Sequence, residues 1–180
     1  MRSARCGGFL LAVAMLIAAP VSVCAQPVDS IERDGFHASA TTLGYEQAAS
    51  FFLGRGLPPP LADRYARDCV VLVILHSEVA KTIVSMRLGD WRVRAAGAAE
   101  KQIRGRSDWL AELDREGIAP AARIGFEMVQ LPEEIDMNAG DSIQGMLSVP
   151  VSRGKSFGLI VRWRVGEDAH EASIEGIRCD

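Results

Sequence analysis

The fold is decided by residues 69–75, which read Cys-Val-Val-Leu-Val-Ile-Leu. This run is rich in β-branched apolar residues and has the length of a strand. It shows no polar alternation, so both faces of the strand must be covered by other elements. The run therefore predicts a central strand, around which the rest of the domain packs.

Most of the chain after Arg123 alternates apolar and polar residues with a period of two, which is typical of half-buried strands. The alternation begins with Ile124, Phe126 and Met128, and turn clusters separate the later segments at 138–141, 153–155 and 166–168. It slips phase near the end of the chain, where Gly176 is a candidate β-bulge. Upstream, residues 84–93 alternate around Gly89-Asp90 and predict a two-residue hairpin.

Two segments carry helical patterns. Apolar residues from Tyr45 to Leu53 recur at helical spacing, and Gly56 and three prolines follow, so we predict a helix over 44–55. A short helical turn is expected over 61–67. Ser107 precedes Trp109, Leu110 and Leu113 and predicts a second helix that ends by Gly117.

These patterns predict a mainly β fold. We expect an antiparallel two-sheet β-sandwich, immunoglobulin-like, of about seven strands with two short helices. The alternative is an α+β sheet with helices on one face. In either case residues 26–68 form an N-terminal helical segment packed on the core, and residues 69–180 form the β-rich domain of the same globular unit.

The first 25 residues have the pattern of a secretory signal peptide. Two arginines precede an apolar run of residues 9–19, which is too short to span a bilayer. Small residues, Val23 and Ala25, predict cleavage after Ala25 and a periplasmic or secreted protein. A lipoprotein anchored at Cys24 is the alternative, disfavoured because Val23 stands where Gly or Ala normally precedes a lipidated cysteine. No later stretch is long and apolar enough for a transmembrane segment.

Cleavage after Ala25 would leave two cysteines, Cys69 and Cys179, in an oxidising compartment. Neither belongs to a Cys-x-x-Cys motif, which argues against redox or zinc chemistry. We therefore predict that they form a structural disulfide between the central strand and the last strand.

The charge balance is mildly acidic, with 20 Lys and Arg against 23 Asp and Glu, and argues against nucleic acid as the partner. Most of the basic residues are arginines, whose planar guanidinium binds carboxylate and phosphate in bidentate fashion. A general arginine bias in composition is the alternative explanation for this enrichment. The candidate ligand-binding residues lie in the predicted hairpin and the penultimate strand: Arg87, Arg92, Arg94, Arg162 and Arg164.

No catalytic motif is present in the sequence, and no cofactor is predicted. We expect an exported, non-catalytic binding or accessory domain whose partner is a protein or a small anionic ligand. The first alternative is a periplasmic copper carrier that uses His76, His170 and Met137, because imidazole and thioether are copper ligands. The second alternative is a hydrolase whose site is assembled from loops.

Overall fold

The computed structural model describes residues 29–180. The predicted signal peptide, its cleavage site and the lipidation alternative at Cys24 lie outside the described residues. The described part contains ten strands and four α-helices, whose bounds are β1 Asp29–Arg33, β2 Phe36–Leu43, α1 Tyr45–Gly54, α2 Pro59–Arg67, β3 Cys69–Ser77, β4 Val84–Arg87, β5 Arg92–Ala95, β6 Lys101–Gln102, α3 Arg106–Arg115, α4 Pro120–Glu127, β7 Glu134–Met137, β8 Ser142–Val149, β9 Ser156–Val165 and β10 Asp168–Arg178.

The first sheet has the strand order β1-β2-β3-β8, and every neighbouring pair is antiparallel. Strands β1 and β2 form a hairpin through Asp34 and Gly35, which both have positive φ. Positive φ at both central residues is the geometry of a type I′ turn, the turn that matches strand twist. The predicted central strand, β3, lies between β2 and β8.

The second sheet is built around β9. Strand β10 pairs along one edge of β9, while β4 and β5 lie end to end along its other edge. The short strands β7 and β6 pair with β4 and β5, respectively, on the far side. All of these pairs are antiparallel, so the mainly β two-sheet architecture is confirmed.

Two hydrophobic cores hold the layers together. The first lies between the two sheets and includes Val73 and Leu75 from β3 and Val161 and Trp163 from β9. The second lies between the outer face of the first sheet and the helices, where Val70 meets a set of apolar and aromatic side chains that includes Phe52, Tyr65, Trp109 and Phe126. The molecule thus has a third, helical layer, which covers one face of the first sheet as the α+β alternative expected.

The predicted disulfide between Cys69 and Cys179 is confirmed, and it links the two sheets. Its Cα atoms are 5.6 Å apart, and both cysteines are fully buried.

The predicted bulge at Gly176 is confirmed as well. The pairing of β10 with β9 shifts register between Ile174 and Ile177, and Gly176 has a φ of 80°.

The predicted hairpin over residues 84–93 is wrong. Strands β4 and β5 do not pair with each other, because both pair with β9. Gly89 and Asp90 belong to a 3₁₀ turn between them, and Trp91 is fully buried in the core. The turn therefore interrupts a strand instead of reversing the chain.

The predicted strand that includes Ile124, Phe126 and Met128 is also wrong, because this segment forms helix α4. Pro120 occupies the first helical position, where its missing N–H costs nothing. Ala122 and Phe126, four residues apart, are buried on one side of the helix, while Ile124 is 55% exposed. A spacing of four places two residues on the same face in a helix and in a strand, so the alternation was ambiguous.

Residues 29–43 lie within the segment predicted to be helical but form β1 and β2. Strand β2 buries Phe36, Ala38 and Ala40, whose period-two pattern is weak because two of the three side chains are methyl groups. The described residues form ten strands and four α-helices, more than the prediction of about seven strands and two helices.

No helix within residues 29–180 is long and apolar enough to cross a membrane.

At Gly145 the backbone of a loop passes very close to the first sheet. Residue 130 forms a parallel bridge with Met146 in β8, and the backbone of Leu131 donates to the Met146 carbonyl at 3.0 Å. A Cβ at position 145 would lie 2.5 Å from the backbone N and Cα of Leu131. Only glycine lets the backbone approach so closely.

Replacing both Cys69 and Cys179 with Ala should lower the free energy of unfolding by about 3–5 kcal/mol, because the bond closes a long loop in the unfolded chain. Urea denaturation of the oxidised protein and the double variant measures the difference. Reductant should destabilise the wild type to the same extent and leave the double variant unchanged. Equal stability of the two proteins without reductant would contradict this prediction.

Gly145→Ala should lower the free energy of unfolding by about 2–3 kcal/mol, since backbone atoms must move to admit the new methyl group. Gly54→Ala is the matched control, because a Cβ at that helical position meets no atom within 4 Å. The control should be neutral or gain up to about 1 kcal/mol from helix propensity. Chemical denaturation of both variants tests the pair, and equal effects would refute the close approach at Gly145.

Candidate functional site

The five predicted arginines lie on one face of the second sheet, the face that points away from the sheet-sheet core. Each alternates along its strand with a buried residue of that core, as Arg162 and Arg164 do on either side of Trp163. Arg87 on β4 and Arg92 and Arg94 on β5 follow the same alternation. Because β4 and β5 both pair with β9, the structure brings all five together on this arginine face.

A groove of about 720 Å³ lies on the arginine face, and four of the five arginines line it. The cross-strand register places Ser85 and Ala169 on either side of Arg164. These two small side chains leave the depression between longer ones. The groove is open to solvent, since the side chains of Arg87 and Glu134 are 74% and 78% exposed. Its volume lies in the range of small-molecule sites.

Carboxylates share the arginine face. Glu171 on β10 accepts from Arg162 Nε at 2.6 Å, and Glu134 on β7 lies 3.6 Å from Arg87 Nε. Arg94 has Glu175 at 3.2 Å and Glu100 at 3.6 Å, and Arg164 has Glu167 at 3.6 Å. Such partly exposed ion pairs contribute little to stability, so another anion can replace the internal carboxylate at small cost.

Arg92 differs from the other four arginines. Its Nη1 donates to the backbone carbonyls of Gly89 and Trp91 at 2.6 and 2.7 Å. Within the described residues no carboxylate lies within ion-pair distance of Arg92, and its Nε and Nη2 make no hydrogen bond. The two carbonyls hold the guanidinium in place, and the free edge has the two-donor geometry that binds carboxylate or phosphate.

Sequence reasoning missed the acidic side of the groove. Glu171 and Asp136 line it, and Asp136 lies opposite Ser85 in the register of β7 and β4. Both alternate with inward-facing residues, but no local pattern shows which strand lies beside which. Only the pairing of strands that are distant in sequence reveals that these carboxylates lie beside the arginines.

The three residues predicted to bind copper have different surroundings. Met137 is fully buried in the sheet-sheet core, where its thioether packs among apolar side chains. His170 stacks on Trp163 with ring centroids 5.4 Å apart, and its Nδ1 lies 3.7 Å from Asp34. His76 lies on the outer face of the first sheet, beside His37. No contact joins any two of His76, His170 and Met137 in the part of the chain that the structure describes.

The side chains of His170 and Ser173 cannot act together as base and nucleophile. They are three residues apart on β10 and therefore point to opposite faces of the sheet. Across residues 29–180, no three His, Cys, Asp or Glu side chains enclose a position for a metal ion as they stand.

A second polar cluster lies beneath the helices. Tyr65 donates a hydrogen bond to Gln130 at 2.7 Å, and burial raises the pKa of Tyr65, so that the phenol keeps its proton. Ser148 donates to Asp68 at 3.2 Å, and burial raises the pKa of Asp68 above its usual value. Asp68 also follows the last residue of α2, where a negative charge opposes the helix dipole. Tyr65 and Gln130 are buried in this cluster, whereas Asp68 is only half-buried.

Asp68→Asn should raise stability at neutral pH. A raised pKa in the folded state means that ionisation of Asp68 opposes folding above that pKa, and that the penalty disappears below the unfolded pKa. The advantage of the variant should therefore shrink as the pH falls through the folded pKa of Asp68. Urea denaturation at neutral and acidic pH measures it.

Asp63→Asn is the control of opposite sign. The hydrogen bond from Tyr45 lowers the pKa of Asp63, so ionised Asp63 favours folding above the unfolded pKa. The variant should lose stability at neutral pH, and the loss should disappear as the pH falls through the folded pKa of Asp63. Changes of the same sign in both variants would contradict the assignment.

Comparisons with known proteins identify no family for this chain. No protein-family model matches it, and no curated protein matches. A solved structure that it resembles comes from Bacillus subtilis subsp. subtilis strain 168 and is described as a "putative lipoprotein (ycdA)". The two share 13% sequence identity with a TM-score of 0.46, and the match covers 84% of this chain and 39% of that one. The chain therefore spans well under half of that protein's length.

Proposed function

We propose that the protein is an exported, non-catalytic binding domain that recognises an anionic ligand on the arginine face. The observation that carries the proposal is the free, fixed guanidinium edge of Arg92 beside a groove lined by three further arginines. A carboxylate or phosphate group would accept two hydrogen bonds from this edge. Arg162 lies on the adjacent strand, close to Arg92, because Arg92 pairs with Ile160.

The spacing of the arginines favours a ligand with more than one anionic group. Residues two apart on a strand are separated by roughly 6.5–7 Å, so Arg92 and Arg94, and likewise Arg162 and Arg164, present positive charges at that interval. Rigid strands hold these positions, which limits the ordering cost of binding. Carboxylated sugars and polyphosphates each carry several anionic groups on one molecule.

Export is supported by two features of the sequence and the fold. Residues 1–25 have the charged, apolar and small-residue regions of a secretory signal. The buried disulfide that links the two sheets is a bond of oxidising compartments, such as the periplasm or the extracellular space.

The binding test is calorimetric titration at low ionic strength with four probes: inorganic phosphate, citrate, inositol hexaphosphate and oligogalacturonate. At least one multivalent probe should bind, and Arg92→Ala should weaken that binding about tenfold or more, as expected for lost charge-assisted hydrogen bonds. Glu171→Gln should strengthen it, because Arg162 then loses its internal carboxylate.

Arg115→Ala is the matched control. Arg115 lies on α3 in the helical layer and is exposed. Its replacement by Ala changes the net charge by the same amount as Arg92→Ala. The control should leave affinity unchanged. If none of the probes binds the wild type, or if the Arg92 and Arg115 variants weaken binding equally, the arginine face is not the site.

A further inference from the structure

We propose that His37 and His76 form a two-histidine chelating pair for a divalent cation such as Zn²⁺ or Cu²⁺, to which the exposed Glu78 side chain adds an oxygen ligand once it rotates. The two histidines face each other directly across β2 and β3. Their ring centroids are 5.9 Å apart. Two imidazoles that share one metal ion have centroids roughly 5–6 Å apart, given metal–nitrogen bonds of about 2.0 Å.

Both imidazoles direct the same nitrogen toward Glu78. The Nε2 atom of His37 lies 3.9 Å from one carboxylate oxygen of Glu78, and that of His76 lies 3.6 Å from the other. The carboxylate therefore lies beside the Nε2 atoms of both rings. It is largely exposed, so a small rotation about its side chain would open that position and keep an oxygen within reach of the metal.

The opposite edge of each ring faces an acceptor. The Nδ1 atom of His76 lies 3.1 Å from the backbone carbonyl of Asp141, which accepts a hydrogen bond from it. The Nδ1 atom of His37 faces a carboxylate oxygen of Glu32 at 3.7 Å. In the tautomer with its proton on Nδ1, the ring keeps a lone pair on Nε2 and can bind a metal through that atom. Acceptors that hold the other ring nitrogen, as the Asp141 carbonyl and Glu32 do here, commonly orient metal-binding histidines.

The backbone holds all three residues in place. His37 follows the tight turn at Asp34 and Gly35, and the backbone N–H of Glu78 donates to the Gly35 carbonyl at 2.7 Å. The Asp141 carbonyl that orients His76 also accepts from the N–H of Ser77 at 3.1 Å. Because backbone hydrogen bonds fix these segments, the metal-binding side chains start from well-defined positions. This reduces the ordering cost of metal binding.

The chemistry of the three ligands selects the cation. Imidazole nitrogens suit Zn²⁺ and Cu²⁺, whereas Ca²⁺ and Mg²⁺ prefer oxygen ligands only. Glu32 and Glu78 add negative charge around the pair, which favours a cation. The site is on the first sheet, so it is independent of the anion site proposed for the second sheet.

The test uses untagged, metal-free protein and the metal alone. Calorimetry with Zn²⁺ should show one site per chain, and His37→Gln or His76→Gln should weaken binding more than about tenfold. Paramagnetic resonance of the Cu²⁺-loaded wild type should show coupling to two imidazole nitrogens, and each variant should retain one. Circular dichroism confirms that the variants fold.

His170→Gln is the matched control, because His170 lies on the second sheet and stacks on Trp163. Unchanged affinity and two coupled nitrogens in this variant support the assignment. Failure of the wild type to bind either metal, or equal affinity in the His37, His76 and His170 variants, would overturn it. Unchanged affinity in Glu78→Gln would remove Glu78 from the ligand set.

Discussion

Strand β3 has no polar face over most of its length. Val71, Val73 and Leu75 pack against the second sheet, while Val70 and Leu72 pack against the helices. The first sheet must therefore be covered on both sides, which requires three layers. The second sheet needs only one covered face, so its other face can carry charge. This asymmetry places the arginine face on the second sheet.

The same asymmetry explains the position of the histidine pair. The helices cover the first sheet only near the beginning of β3, where Val70 and Leu72 lie, and leave Ile74 and His76 more exposed. His37 and His76 therefore meet at the uncovered end of the sheet, beside the turn at Asp34 and Gly35. The side chains of the two proposed sites lie on outer sheet faces and are not part of either hydrophobic core.

The features that sequence analysis predicted correctly depend on local patterns. The burial of β3, the phase slip at Gly176 and the shared face of Arg162 and Arg164 follow from the chemistry and alternation of neighbouring residues. The disulfide followed from counting, because cleavage of the predicted leader leaves only Cys69 and Cys179. The errors came from segments whose local pattern fits two structures. The apolar spacing in residues 120–127 fits both a helix and a strand. Gly89-Asp90 fits both a hairpin turn that reverses the chain and a short turn that interrupts a strand.

The candidate sites show a further limit. Parity along a strand predicts that Arg92 and Arg94 share one face, as do Arg162 and Arg164, but only the pairing of β4 and β5 with β9 brings the arginines of different strands together. Their carboxylate neighbours could not be predicted, because Glu171 meets Arg162 only through the pairing of β10 with β9. The histidine pair depends in the same way on the register of β2 and β3, which aligns residues 37 and 76. A register cannot be derived from either strand alone.

The bulge in β10 controls where the end of that strand points. Ile174 faces the core, and a regular strand would next turn residues 176 and 178 inward. The extra residue at the bulge shifts this phase, so that Ile177 and Cys179 face inward. Only then does the sulfur of Cys179 meet that of Cys69. The left-handed backbone of one glycine thus sets the phase that lets oxidation join the two sheets.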